Sequence, residues 1–353
     1  MDNNQISPQH IPLKINNSIK KQKLKGLIFT RACCCIGIVV YHYFCHSKGD
    51  FKLLYSTANS SFGFIFVTAF FNISGACLYY NYPIIKSITF FYYKRWKSIF
   101  PSYYLSYAYF YISRSLQSHK LVFKGFLSNI YFTILGLDGY FLYRIKTCYL
   151  IGEWFLGAII IIYFFYPYFA FIDKKNYYIF ALILCFSNIF IYYSNFFIII
   201  RSRNIITCIT SFYFGMTTIK FKNIFFGNNI SFIISSIIFI LLSKIKVSSL
   251  EIIFQIQGFS FFIAITKIGQ YIMHQKYSKI FIEISNLSFS IYLFHHIIIE
   301  DILAINNPFK WHSHLLILSL SLSLTIICSK IHLMVFDSII KSNIFLKLES
   351  LFI

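Results

Sequence analysis

The sequence predicts an all-α integral membrane protein, a bundle of about ten transmembrane helices with both termini cytoplasmic. Three observations carry that prediction. Hydrophobic residues make up 58% of the 353 positions and charged residues only 12%, a balance that excludes the soluble globular and disordered classes. The mean hydropathy is +0.66, and the apolar residues fall in runs long enough to cross a bilayer. Lys and Arg gather in the connectors between those runs, and with the amino terminus placed inside, their larger share lies on the cytoplasmic side. The net charge of +21 therefore belongs with topology and anionic lipid headgroups, and nucleic acid is not a predicted partner. The chain divides into a cytoplasmic basic leader over 1–26, a transmembrane domain over 27–340 and a cytoplasmic tail over 341–353.

The leader is polar from Met1 to Asn17, and the apolar run after it is too long for the core of a cleavable signal. The first helix is predicted to stay as an anchor behind Lys20, Lys21, Lys23 and Lys25. The predicted spans run Leu27 to Cys45, Ser61 to Tyr82, Ile99 to Ile112, Tyr149 to Ile172, Tyr177 to Ile200, Asn204 to Ile219, Phe225 to Leu242, Leu250 to Ile268, Phe281 to Leu303, and His314 to Phe336. The third and sixth are short, so a count one lower or one higher also fits. The nine cysteines sit mostly inside apolar runs with no paired CxxC spacing, which predicts small hydrophobes and neither a disulfide framework nor a metal site.

The first span carries one arginine and one histidine, Arg31 and His42. On a helix the step between them returns to within about 20° of its starting direction and advances about 16 Å, so both side chains share one face at two depths. Ionisable groups at such depth are costly in hydrocarbon and by default line a cavity or bind a partner. The plainer account has Arg31 snorkelling to the interface and His42 bonding a neighbouring helix. In the second span FFNISG, Phe70 to Gly75, offers small residues for close helix approach. Lys94, Arg95 and Lys97 stand at the predicted cytoplasmic mouth of the third, just before Pro101; they serve either as a positive-inside signal or as a grip on phosphate.

Glu153 and Trp154 open the fourth span. A carboxylate there, at the depth of His42, would orient the imidazole and raise its basicity, whereas the plainer account is a solvated interfacial pair. Late in the chain Ser288, Tyr292 and His295 are spaced four and three apart, which places a polar stripe on one face of the ninth span, toward the bundle or an aqueous cavity.

Taken together these stretches resemble the membrane-bound acyltransferase 3 family. The arginine, ten residues and histidine of its amino-terminal signature are met by Arg31 and His42, and its FFxxSG element by Phe70 to Gly75. The basic stretch running into a proline matches Lys94 to Pro101, the Trp-Phe-Leu run with later Tyr and Pro matches Trp154, Tyr163 and Pro167, and the late element matches Ser288, Tyr292, Leu293 and His295. Family members often carry two arginines three residues apart before the proline. Here Arg95 is followed by Ser98, which leaves Lys97 to substitute. Where some branches place two glutamates after the tryptophan, this chain has Ile159 and Ile160, so Glu153 is the nearby carboxylate.

The resemblance implies an integral-membrane O-acyltransferase of the cell inner membrane. It would move acetyl from cytoplasmic acetyl-CoA to a hydroxyl of a bacterial surface polysaccharide or its lipid-linked precursor, with no bound cofactor and no metal. The expected roles are His42, Arg31 and Glu153 in catalysis, Arg95, Lys97 and Arg31 on the donor, and Trp154, Ser288, Tyr292 and His295 against the substrate. Whether His42 deprotonates the acceptor or first carries the acyl group stays open. A glycan transporter or flippase, and a polysaccharide polymerase, are the rival readings of a chain of this class.

Overall fold

The computed structural model describes residues 24–47, 61–121, 126–194, 198–245, 251–274, 278–305 and 311–342, with 345, 347 and 349. Among these every regular element is helical: α1 Lys25–His46, α2 Ser61–Asn81, α3 Ile88–Ser118, the short α4 Ile130–Ile134 and α5 Asp138–Phe141, α6 Glu153–Tyr193, α7 Ile205–Lys220, the short α8 Lys222–Phe226, α9 Ile230–Ser243, α10 Glu251–Ile272, α11 Ser278–Ile305 and α12 Trp311–Ile340. The leader's Lys20, Lys21 and Lys23, and most of the tail after residue 342, lie outside the described residues.

Six of these helices, from α1, α2, α6, α10, α11 and α12, are long and apolar enough to cross a membrane. This is a multi-pass membrane protein. The sequence predicted about ten spans, and the difference has physical sources. Lys94, Arg95 and Lys97 dilute the hydropathy of α3, although it is 31 residues long. The helices α7 and α9 have only 16 and 14 residues. Finally, α6 holds two predicted spans. Its backbone breaks at Asn176 (φ −144°, ψ 64°), and the rings of Phe169 and Phe180 lie 5.9 Å apart. A straight helix would separate those residues by about 16 Å, so the chain turns back at the break. Asp173 secures that turn: it accepts from the Tyr213 hydroxyl at 2.7 Å and pairs with Lys220 at 2.9 Å. Outward-facing side chains such as Phe186 of α6, Ile237 of α9 and Leu316 of α12 stay exposed, as hydrocarbon allows and water would penalise.

The helix α1 lies at the centre of the bundle, against α2, α10 and α11. Its residues enter two of the three apolar clusters: Leu27, Cys34 and Ile38 pack with α2 and α10, while Cys35, Val39 and Tyr43 pack with α11 and α12. A further polar tie crosses the core where His332 of α12 meets Ser290 of α11 and Ser106 of α3, each at 2.9 Å.

The FFNISG element does what its small residues predict. A Cβ on Gly75 would stand 1.9 Å from the carbonyl oxygen of Phe212, and one on Gly215 would stand 2.0 Å from that of Asn72, so α2 and α7 meet backbone to backbone. Gly75→Ala is expected to cost about 1–3 kcal/mol by overpacking, read as a lower melting temperature of the detergent-solubilised protein. An unchanged melting temperature would show that the two helices stand further apart.

Candidate functional site

The predicted polar face of α1 opens on a cavity of about 320 Å³ bounded by α1, α2, α3, α6 and α11. Arg31 and His42 both line it, as their helical phase requires, and so do Ser74, Arg95, Ser98, Trp154, Tyr163, Ser288, Tyr292 and His295. Seven of the nine expected site residues, drawn from four helices, therefore border one space. The aliphatic and aromatic remainder of the wall, including Ile38, Phe70, Phe155 and Ile159, keeps the polar groups in a low-dielectric setting where each hydrogen bond and charge counts for more.

The cavity has an arginine pole and a histidine pole. At the first, the Arg31 guanidinium donates to Cys77 Sγ at 3.3 Å. The Arg95 guanidinium sits 5.6 Å from the ring centre of Tyr82 and 5.8 Å from that of Tyr163, a placement that the ring quadrupoles favour. Arg95 Nε is buried and finds no hydrogen-bond partner among the described residues. A buried donor of this kind carries a desolvation cost that an anionic or carbonyl ligand relieves.

At the histidine pole the ring of His42 stands 5.0 Å from that of His295 and 4.8 Å from that of His296. His295 is wholly buried. Its Nδ1 faces the carbonyl oxygens of Ile291 and Tyr292 at 3.0 and 2.9 Å, which fixes the proton on Nδ1 and leaves Nε2 as an acceptor. That Nε2 has no partner among the described residues. Tyr292 is engaged differently: its hydroxyl donates to the Gly152 carbonyl at 2.5 Å and accepts from the Leu156 N–H at 3.1 Å. Gly152 takes the left-handed conformation (φ 89°) just before α6, so Tyr292 ties α11 to the first turn of α6 and sets where Trp154 stands. Ser288 donates to the carbonyl of Ser285 at 2.8 Å.

Two expected residues stand apart from this grouping. Glu153 begins α6, but its side chain lies outside what the structure describes. Lys97 does not border the cavity. It pairs with Glu349 at 2.6 Å, and Lys94 pairs with the other oxygen of the same carboxylate. The cause is helical phase: Lys94 and Lys97, three apart, share a face, whereas a residue two on from Arg95 points to nearly the opposite side. Ser98 is the residue that shares the cavity with Arg95, so Lys97 does not take the place of a second arginine there.

Two further features join this site. The Arg203 guanidinium lies 5.4 Å from the Trp154 ring, an approach across a long connection that no local pattern announces. His42, His46 and His296 each offer a ring nitrogen, and these atoms lie within 4.8 Å of one another. The four-residue spacing of His42 and His46 was a visible signal; their meeting with His296 depends on how α1 and α11 pack.

A multi-pass helical bundle with a cavity joining cationic and imidazole poles defines an intramembrane site suited to group transfer. The acyltransferase 3 family, described as an acyltransferase domain, matches residues 24–332, nearly the whole chain. This chain belongs to that family and is an acyltransferase. No curated protein and no solved structure matches it significantly.

Proposed function

We propose that this acyltransferase is an O-acetyltransferase of the cell inner membrane, moving acetyl from cytoplasmic acetyl-CoA to a hydroxyl of a surface polysaccharide or its lipid-linked precursor. The observation that carries the reading is the shared cavity, with Arg31 and Arg95 at one pole and His42 and His295 at the other. A donor that bears phosphates and a thioester needs fixed cations at one end, and a sugar hydroxyl needs a base at the other.

In the direct course, His42 accepts the hydroxyl proton as the oxygen bonds to the thioester carbonyl carbon. The carbon–sulfur bond then breaks, and the CoA thiolate leaves and recovers a proton from the imidazolium. In the two-step course His42 carries the acetyl group before the acceptor takes it. Arg31 and Arg95, at the far pole, would hold the donor's phosphates while its thioester reaches toward His42. Trp154, Ser288 and Tyr292 border the space left for the acceptor.

The test is acetyl-CoA consumption by protein purified in detergent, beside the acetyl content of the surface polysaccharide in cells with and without the chain. Thiol release together with loss of polysaccharide acetyl groups in deleted cells is expected. Neither a transporter nor a polymerase would consume acetyl-CoA, so absence of both effects would overturn the reading. The two basic residues of α3 should separate within it. Arg95→Gln is expected to raise the KM for acetyl-CoA about tenfold or more, the worth of a charged hydrogen bond, and Lys97→Gln by much less. An equal rise for both would return donor binding to the whole basic stretch.

A further inference from the structure

We infer that His42, His46 and His296 form a binding site for a divalent transition cation of the zinc class, with Glu300 as the carboxylate that orients two of the imidazoles. His46 Nε2 and His296 Nε2 face each other at 3.1 Å. On the far side of each ring, Nδ1 is turned to the same oxygen, Glu300 Oε1, at 3.9 Å from His46 and 3.4 Å from His296. With the ring protons on Nδ1, the side of each ring that faces the carboxylate, both Nε2 atoms are acceptors turned to one point, and that arrangement needs a cation there in place of the hydrogen bond that the two rings otherwise share at this distance.

A metal ion meets that need with ordinary geometry. Zinc–imidazole bonds of about 2.0–2.1 Å in a tetrahedron put neighbouring ligand nitrogens about 3.3–3.4 Å apart, close to the spacing seen. The third imidazole, His42, offers its nitrogen within 4.8 Å of the others and completes the set by a modest turn of its ring. Both helices supply their residues at four-residue spacing, His42 with His46 on α1 and His296 with Glu300 on α11, so each pair projects from one face. A carboxylate on the distal nitrogen is the usual outer partner of a metal-bound histidine. Three imidazoles favour zinc, copper or nickel over magnesium or calcium. His46, His296 and Glu300 keep 28%, 25% and 48% of their side chains exposed, so an ion reaches the site without crossing the bundle.

The consequence for turnover rests on the reading of His42 as base or acyl carrier. A bound cation engages the lone pair that proton or acyl transfer requires, so occupancy silences the enzyme. The site is then an inhibitory one at the histidine pole.

The test titrates Zn²⁺ into detergent-purified full-length chain, carrying an affinity tag without histidine, against a chromogenic chelator. One zinc per chain is expected in the wild type. Glu300→Gln should weaken it about 10–100-fold, the usual effect of losing such an outer partner, and His46→Ala should abolish it. If the two Nε2 atoms share a proton instead, the wild type will bind no zinc, and that result overturns the site without recourse to any variant. Binding equal in wild type and His46→Ala overturns it as well. In a second arm, saturating Zn²⁺ should lower acetyl-CoA consumption at least tenfold; full turnover at full occupancy would overturn the inhibitory role. The titration needs no acyl donor, so a protein that binds zinc yet never consumes acetyl-CoA would fault the functional reading alone.

Discussion

His42→Ala is expected to abolish acetylation of the surface polysaccharide while the protein still reaches the membrane at its normal level. A positioned general base contributes about 10²–10⁴-fold, and an acyl carrier more, so residual activity should fall below about 1%. Replacing an intramembrane imidazole by methyl removes a polar group from an apolar helix, which does not oppose insertion. The cavity wall at this point is shared with His295, whose Nδ1 is committed to two backbone carbonyls. His295 is thus held in place and is poorly set to swing into the vacated role. Acetyl content of the polysaccharide, measured beside membrane levels of the variant, decides the matter. Near-normal acetylation at normal protein level would remove His42 from the mechanism.

Arg31→Ala is expected to weaken the use of acetyl-CoA by about 10–100-fold, and Arg31→Lys to recover only part of the loss. The guanidinium presents a planar fork that fits phosphate or a polarised carbonyl, and an ammonium presents a point charge. In the structure Arg31 borders the cavity and reaches Cys77 of α2. Had it merely anchored the helix at the interface, lysine would serve fully. Steady-state kinetics across a range of acetyl-CoA concentrations separates the cases: two variants with wild-type kinetics would reduce Arg31 to an anchor.

Element boundaries were legible wherever hydropathy alone sets them. The expected Ser61 to Tyr82 became Ser61–Asn81 and Asn204 to Ile219 became Ile205–Lys220. They were misjudged where a helix carries function or is interrupted. The expected Ile99 to Ile112 is the core of a helix that starts at Ile88; the charges that hid its first turns face the cavity and the tail, at no cost to helix formation. The expected start at Tyr149 moved to Glu153, because Gly152 takes a left-handed conformation that no apolar count reveals. The expected Phe225 to Leu242 is divided between α8 and α9.

Within the site, phase along a helix was readable and pairing between helices was not. The shared face of Arg31 and His42 follows from the rotation per residue, and both do border one cavity. The union of His46 with His296 and the reach of Arg203 to Trp154 both require knowing which helix lies beside which, whereas the divergence of Lys97 from Arg95 is phase alone. Periodicity names a face and leaves its neighbour unnamed.

The backbone contact between α2 and α7 has a mechanical corollary. Where Gly75 meets Phe212 and Gly215 meets Asn72, no side chain lies between the helices to compress or rotate, so the pair behaves as a single stiff beam behind one wall of the cavity. Another wall, α11, is tied to the start of α6 through the phenol of Tyr292. A frame of this kind is expected to give way at the α6–α11 seam before the α2–α7 seam, so that a change in the cavity's width moves α6 against α11 and leaves the polar groups of α2 in register.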